Sequence, residues 1–152
     1  MPKVFLVRHA KAGDRGDWTK PDHLRPLTKS GWKQAEGLVD LLRDEPIEVI
    51  SSSPYVRCVQ TVEPLATARG LELRHEEALA EGAFLEGALL LIGGADVPTV
   101  LCTHGDVLTD VVSSLREMGT PGADESLGKK GSTWVFEVAD GNVARATYMP
   151  PP

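Results

Sequence analysis

Residues 4–10 read Val4-Phe5-Leu6-Val7-Arg8-His9-Ala10, and this stretch decides the fold class. Four consecutive apolar residues without alternation are the pattern of a strand buried on both faces, as inside a parallel sheet. The run stops at an arginine and a histidine. A strand that ends this way delivers two polar side chains to the rim of its sheet.

Working outward, the same pattern recurs. Ile47 to Ile50 and Thr99 to Cys102 read as further buried strands, and Leu71 to Leu73 as a short one. After the polar loop Lys11 to Pro26, Thr28 caps a helix whose apolar positions Trp32, Ala35, Leu38, Val39 and Leu42 recur at helical spacing. Pro46 ends it. Ser53-Pro54 reads as the start of a second helix, with Ser53 as its cap, a stop at Gly70 and a kink or short break expected at Pro64. Glu76 to Gly94 is helical in pattern but interrupted by glycines. A further helix is expected from about Asp106 to Met118, and Thr120 to Gly131 reads as a loop. Thr133 to Val138 and Val143 to Tyr148, joined by Asp140-Gly141-Asn142, form a hairpin pattern. Strands alternating with helices predict a three-layer α/β/α sandwich with a mainly parallel central sheet and a C-terminal antiparallel hairpin. Residues 1–149 are expected to form one domain, followed by a disordered tail, Pro150 to Pro152.

Composition narrows the function classes. The 152 residues, 41% hydrophobic and 25% charged, suit one globular domain with a full core. A formal net charge of −6 disfavours nucleic acid and anionic membranes as partners, so an anion site has to be a local basic pocket. The two cysteines, Cys58 and Cys102, form no disulfide framework and no CxxC pair. With no signal-like start, and with Ala88 to Ile92 as the longest apolar run, a cytoplasmic location is expected. Oligomeric state has no signature.

Three predicted strand ends carry unusual residues. The first ends at Arg8-His9, the second at Ser51-Ser52-Ser53-Pro54 with Arg57 close behind, and the third at Thr103-His104-Gly105. In open α/β sheets ligands bind beyond the carboxyl ends of the strands. Two arginines and a helix N-terminus there match the oxygens of a phosphoryl group. A neutral histidine in the same pocket is a competent nucleophile toward phosphorus, and a second, protonated histidine adds positive charge where the transition state needs it.

At this point the sequence resembles a known family. "LVRHA" (residues 6–10), "SSSPYVRCVQT" (51–61) and "CTHGD" (102–106) resemble the three signatures of the histidine phosphatase superfamily, in the family's order. "RPLTKSGWKQAEGL" (25–38) is similar to its first helix. The short chain, with alanine after the histidine, looks closest to the small bacterial phosphohistidine phosphatases, and related domains occur fused to Nudix hydrolases. The resemblance implies His9 as a nucleophile that becomes phosphorylated, and Arg8, Arg57, His104 and Gly105 as the phosphate-binding groups. It implies a general acid in "LAEGAF" (79–84), which points to Glu81, with Glu76, Glu77 and Glu86 as near neighbours. One phosphate contact has no clear match, and Lys11, Asp14 and Arg15 are the candidates for it. The implied substrate is a phosphorylated small molecule or a phosphoprotein, with no cofactor and no metal.

Other chemistries fit less well. A cysteine-dependent phosphatase needs arginine six positions after its cysteine, where this chain has Pro64 and Leu108. "GADESLGKKG" (122–131) has one residue too many between its glycines for a phosphate-binding P-loop, and reads as a mobile basic loop. Zinc ligation by His9, His104 and Cys102 matches no usual ligand spacing. A phospho-ligand binding module without turnover remains the competing class. A mutase ranks below it, because the chain lacks insertions that would enclose a small sugar phosphate.

Overall fold

The computed structural model describes residues 1–124 and 127–152; of the expected Thr120–Gly131 loop, Glu125 and Ser126 lie outside the described residues. The strands are β1 (Lys3–Arg8), β2 (Val49–Ser52), β3 (Leu73–His75), β4 (Thr99–Thr103), β5 (Thr133–Ala139) and β6 (Asn142–Met149). They form one sheet in the order β3-β2-β4-β1-β5-β6. The first four are parallel and the last two form the antiparallel hairpin. The helices are α1 (Lys29–Leu41), α2 (Val56–Arg69), α3 (Leu85–Gly93) and α4 (Gly105–Glu117).

The apolar run of β1 divides between the two faces, as strand geometry requires. Val4 and Leu6 pack with α3, α4, Trp134 and Phe136. Phe5 and Val7 pack with Leu38 of α1 and with Cys58, Val62 and Leu65 of α2. The result is the three-layer sandwich read from the sequence. Among the described residues no helix is long and apolar enough to cross a membrane.

Several elements differ from expectation in instructive ways. Strand β2 is shifted towards its carboxyl end, so that Ser51 and Ser52 pair with Leu101 and Cys102 while Ile47 packs from the preceding loop. Helix α2 begins at Val56, after Tyr55, and Ser53 is not its cap. The helix is unbroken through Pro64, although proline leaves the Gln60 carbonyl without a helical donor. The Glu76–Gly94 stretch resolves into a 3-10 turn at Glu77–Leu79, a bend at Gly82, and α3. The proline tail lies against α1, where a Cβ on Gly37 would come 2.8 Å from Cβ of Pro152. Glycine at that position leaves room for the proline ring.

Parallel pairing aligns the strand ends that matter. Arg8 lies opposite Thr103, and Ser52 opposite Cys102. Two more backbone bonds continue the ladder past the strands, His9 N–H to Thr103 O at 3.0 Å and Ser53 N–H to Cys102 O at 2.9 Å. His9, Ser53 and His104 are therefore neighbours by register.

Candidate active site

His9 sits on a backbone fixed on both sides, because the next N–H, that of Ala10, donates to Thr61 Oγ1 of α2 at 2.9 Å. Its ring Nδ1 is 2.8 Å from the Ala10 carbonyl oxygen. A carbonyl only accepts, so Nδ1 carries the hydrogen and Nε2 of the neutral ring holds the free lone pair. Burial is the main force holding the ring neutral. It pushes the pKa down to about 3 against the bond to Ala10, and the charges of His104, Arg57 and Arg8 push the same way.

Arg8 donates through Nη1 to the Gly128 carbonyl at 2.6 Å, while its buried Nε has no partner among the described residues. The guanidinium lies against the start of α4. A Cβ on Gly105 would come within 2.7–2.9 Å of three guanidinium atoms, so glycine is what allows this approach.

His104 is almost fully buried and stands edge-on to His9, with ring centroids 5.5 Å apart. Its Nε2 is 2.8 Å from Ser53 Oγ, a hydroxyl that also accepts the Tyr55 N–H at 3.3 Å. Here is the reason Ser53 caps no helix: its oxygen holds an imidazole 51 residues away. Cys58 Sγ lies 3.5 Å from the same nitrogen. Burial opposes ionisation of that thiol, but hydrogen bonds from Cys102 and His104 outweigh it and bring the pKa down to about 6. Burial and the neighbouring Cys58 push the Cys102 thiol up.

Arg57 is fully buried and its partners are Asp22 and Glu81, not the Glu63 or Asp40 that a surface position on α2 would offer. Nη1 donates to the Asp22 carbonyl at 2.9 Å, and Nη2 to Asp22 Oδ2 at 3.0 Å and Glu81 Oε2 at 3.3 Å. Arg15 Nη2 holds the other Glu81 oxygen at 2.9 Å. Arg25, also buried, bonds Asp22 and the Gly13 carbonyl. Partial burial works against ionised Asp22, yet the bonds and charges of Arg25, Arg57 and Arg15 hold its carboxyl below the usual range. Asp22 and Arg25 were not singled out in the sequence. Nothing local marks Asp22, whose decisive partner Arg57 comes from α2, and Arg25 takes its place from Asp22, three residues away.

These groups surround a cleft of about 820 Å³ that is lined by Arg8, His9, His104, Gly105 and Glu81, together with Asp14, Arg15, Arg25, Asp106 and Lys130. Arg57 does not line it, and its guanidinium instead bonds Asp22 and Glu81. Lys11, Glu76, Glu77 and Glu86 do not line it, which leaves Glu81 as the cleft carboxylate of its acidic run. Lys130 reports the local field: burial and then the charges of Arg8, Arg25, Arg15 and Arg57 hold its ammonium below its ordinary pKa. In a protein that is acidic overall, the cleft sets four basic groups, Arg8, Arg15, Arg25 and Lys130, among four carboxylates, Asp14, Glu81, Asp106 and Asp110. Among the described residues no group of three His, Cys, Asp or Glu side chains is placed to hold a metal ion.

Known proteins resemble this chain in sequence and in fold. The model of the histidine phosphatase superfamily (branch 1) matches residues 4–88. The 8-oxo-(d)GTP phosphatase of Mycolicibacterium smegmatis is 35% identical over 155 residues, covering 98% of this chain and 48% of that protein. Phosphoserine phosphatase 1 of Hydrogenobacter thermophilus is 36% identical over 86 residues, covering 53% of this chain and 39% of its own. The chain thus spans less than half the length of either relative. The structure of the protein histidine phosphatase SixA complexed with tungstate superposes with a TM-score of 0.78 at 18% identity, covering 97% of this chain and 94% of that one. At that identity the likeness is one of fold. A family match over more than half of the chain, and a relative 35% identical along nearly all of it, establish membership: this chain belongs to the histidine phosphatase superfamily (branch 1).

Proposed function

We propose that the chain is a metal-independent phosphohydrolase working through a phosphohistidine on His9. The observation that carries this reading is the state of His9: a neutral imidazole on the wall of a cleft that Arg8 and His104 also line, with its Nδ1 hydrogen committed to Ala10 O. In the first step the Nε2 lone pair attacks phosphorus, and the bond from phosphorus to the leaving oxygen or nitrogen breaks. Glu81 gives that atom its proton. In the second step water attacks the phosphohistidine, its proton passes to the Glu81 carboxylate, and the electron pair returns to Nε2.

Arg8 and His104 line the cleft and serve the phosphoryl oxygens, with the α4 N-terminus at Gly105 behind them. Arg57 reaches the same oxygens by exchanging its Glu81 and Asp22 contacts for the phosphoryl group, which also frees Glu81 for proton transfer. Arg15 is the contact favoured from the Lys11–Arg15 loop, because it lines the cleft and already binds the Glu81 carboxylate.

The substrate class is a phosphohistidine protein, a nucleotide or another small phosphate ester. A cleft of about 820 Å³ has room for such leaving groups. The names of the relatives, an 8-oxo-(d)GTP phosphatase and a protein histidine phosphatase, span the same range. The test is hydrolysis of an aryl phosphate in excess chelator by wild type and by His9→Ala, with rapid-quench trapping of the phosphoenzyme. Activity that survives the chelator and disappears with His9, together with an acid-labile, base-stable phosphoprotein, supports the mechanism. Activity lost to the chelator overturns the metal-independent reading. Binding of vanadate without turnover of a panel of phosphoramidates and phosphate esters would favour a silent binding module.

A further inference from the structure

The segment that carries His104 also grips the turn that carries Glu81. Thr103, just before His104, donates its hydroxyl to the Leu79 carbonyl at 2.7 Å, and that side-chain bond is buried. Asp106, two residues after His104, accepts the Gly82 N–H on Oδ2 at 2.8 Å. Its other oxygen accepts the N–H of Val107, also at 2.8 Å, which anchors the carboxylate to the first turn of α4. Leu79 and Gly82 bracket Ala80-Glu81, so the turn is held on both sides by residues that bracket His104-Gly105. Gly82 has φ +80, a conformation that releases its N–H towards α4 and that other residues adopt poorly.

We propose that Thr103 and Asp106 form a clamp that positions the Glu81 carboxyl group against the leaving atom, with Asp106 as the principal positioning residue. This rests on the reading of Glu81 as the acid. The chemistry favours a clamp. A catalytic carboxyl has to stand within about 2.6–3.2 Å of the atom it protonates, and small displacements lose most of the effect. Glu81 is partly exposed and sits on a short turn, and its own bonds run to Arg15 and Arg57, the groups that a phosphoryl anion competes for. Once that anion is bound, the backbone bonds at Leu79 and Gly82 are what keep the turn in place. Asp106 is suited to the task because both its oxygens accept backbone N–H groups, one from the Glu81 turn and one from the first turn of α4.

The experiment compares two probes that differ in how much they need an acid: 2,4-dinitrophenyl phosphate, whose leaving group departs as a stable anion, and ethyl phosphate, whose leaving group requires a proton. Asp106→Ala is expected to lower kcat/KM, which reports the phosphorylation step and not the shared dephosphorylation, at least tenfold more on ethyl phosphate than on the dinitrophenyl ester. Asp106→Asn keeps the shape and one acceptor, and is expected to show the same bias to a smaller degree. In a Glu81→Gln background, Asp106→Ala is expected to add little to the loss on ethyl phosphate, because the clamp acts through the acid.

Equal losses on both probes, or losses that multiply fully in the double variant, would overturn the clamp and leave Asp106 a structural or phosphate-side residue. If Glu81→Gln alone spares ethyl phosphate, the acid assignment itself fails and the clamp with it, an outcome separate from the first two. A fold defect in Asp106→Ala would slow both esters alike, and the isosteric Asn variant reads the bias without the cavity.

Discussion

The rings of His9 and His104 meet edge to face, with centroids 5.5 Å apart and an interplanar angle of 66°. Burial above all, with the neighbouring ring adding to it, pushes the His9 pKa down to about 3. At pH 7 the His9 ring is neutral in the folded chain and largely neutral in the unfolded one. Between its ordinary value of 6.5 and about 3, the unfolded chain binds the proton and the folded chain does not, so the site costs stability as pH falls. His9→Asn removes that cost. Its stability relative to wild type should rise by about 3 kcal/mol between pH 7 and pH 4, as read from denaturant midpoints. A difference that stays flat with pH would mean that the folded ring charges normally.

Arg57 is fully buried, and its guanidinium joins α2 to the Asp22 loop and the Glu81 turn. Breaking a buried pair costs about 3–5 kcal/mol, but Asp22 and Glu81 are each about a third exposed and solvent screens them. Arg57→Met should therefore destabilise by about 2–3 kcal/mol, a Tm loss of roughly 5–10 °C by calorimetry. Arg57→Lys keeps the charge without the two-pronged donor and should still lose most of the activity.

Gly105 owes its identity to the Arg8 guanidinium lying 2.7–2.9 Å from where its Cβ would be. In Gly105→Ala the arginine has to leave the Gly128 carbonyl. Affinity for vanadate or tungstate should fall at least tenfold in inhibition assays, while Tm changes by only a few degrees. An unchanged inhibition constant would show that Arg8 has another place to go.

Cys58 and Cys102 are both free and fully buried, even though the Cys58 thiol is drawn down to about 6. Reactivity needs access as well as thiolate. The native protein should resist iodoacetamide, and both cysteines should label in urea, as counted by intact mass. Fast native labelling of Cys58 would mean that the region around His104 opens in solution.

What the sequence revealed depended on how far each signal reached along the chain. The apolar runs of β1 and β4 and the alternation in the hairpin are local, and so was the convergence of Arg8, His9 and His104, because parallel register follows from strand order. Thr28 caps α1 as its pattern predicts, accepting the Gly31 N–H at 3.1 Å. Ser53 has a similar local signature and does something else, since its partner is His104 and the serine-proline pattern carries no trace of a ring 51 residues away. Asp22 is hidden for the same reason: a loop residue, it gains its role from Arg57, which only the folded chain brings to it, and Arg25 gains its own through Asp22. Glu81 could be read only down to its acidic run, and the cleft wall separates it from Glu76, Glu77 and Glu86.

The bond from His9 to its neighbouring carbonyl has a consequence for the proton inventory of the proposed reaction. A serine or cysteine nucleophile must lose a proton and so requires a base at the first step. The neutral His9 ring already carries its one N–H hydrogen on Nδ1, away from the attacking nitrogen, and donates it to Ala10 O throughout. One carboxyl group then handles every proton that moves, giving one at the first step and recovering one at the second. The solvent isotope effect of each half-reaction should accordingly vary linearly with deuterium content, the signature of a single proton in flight.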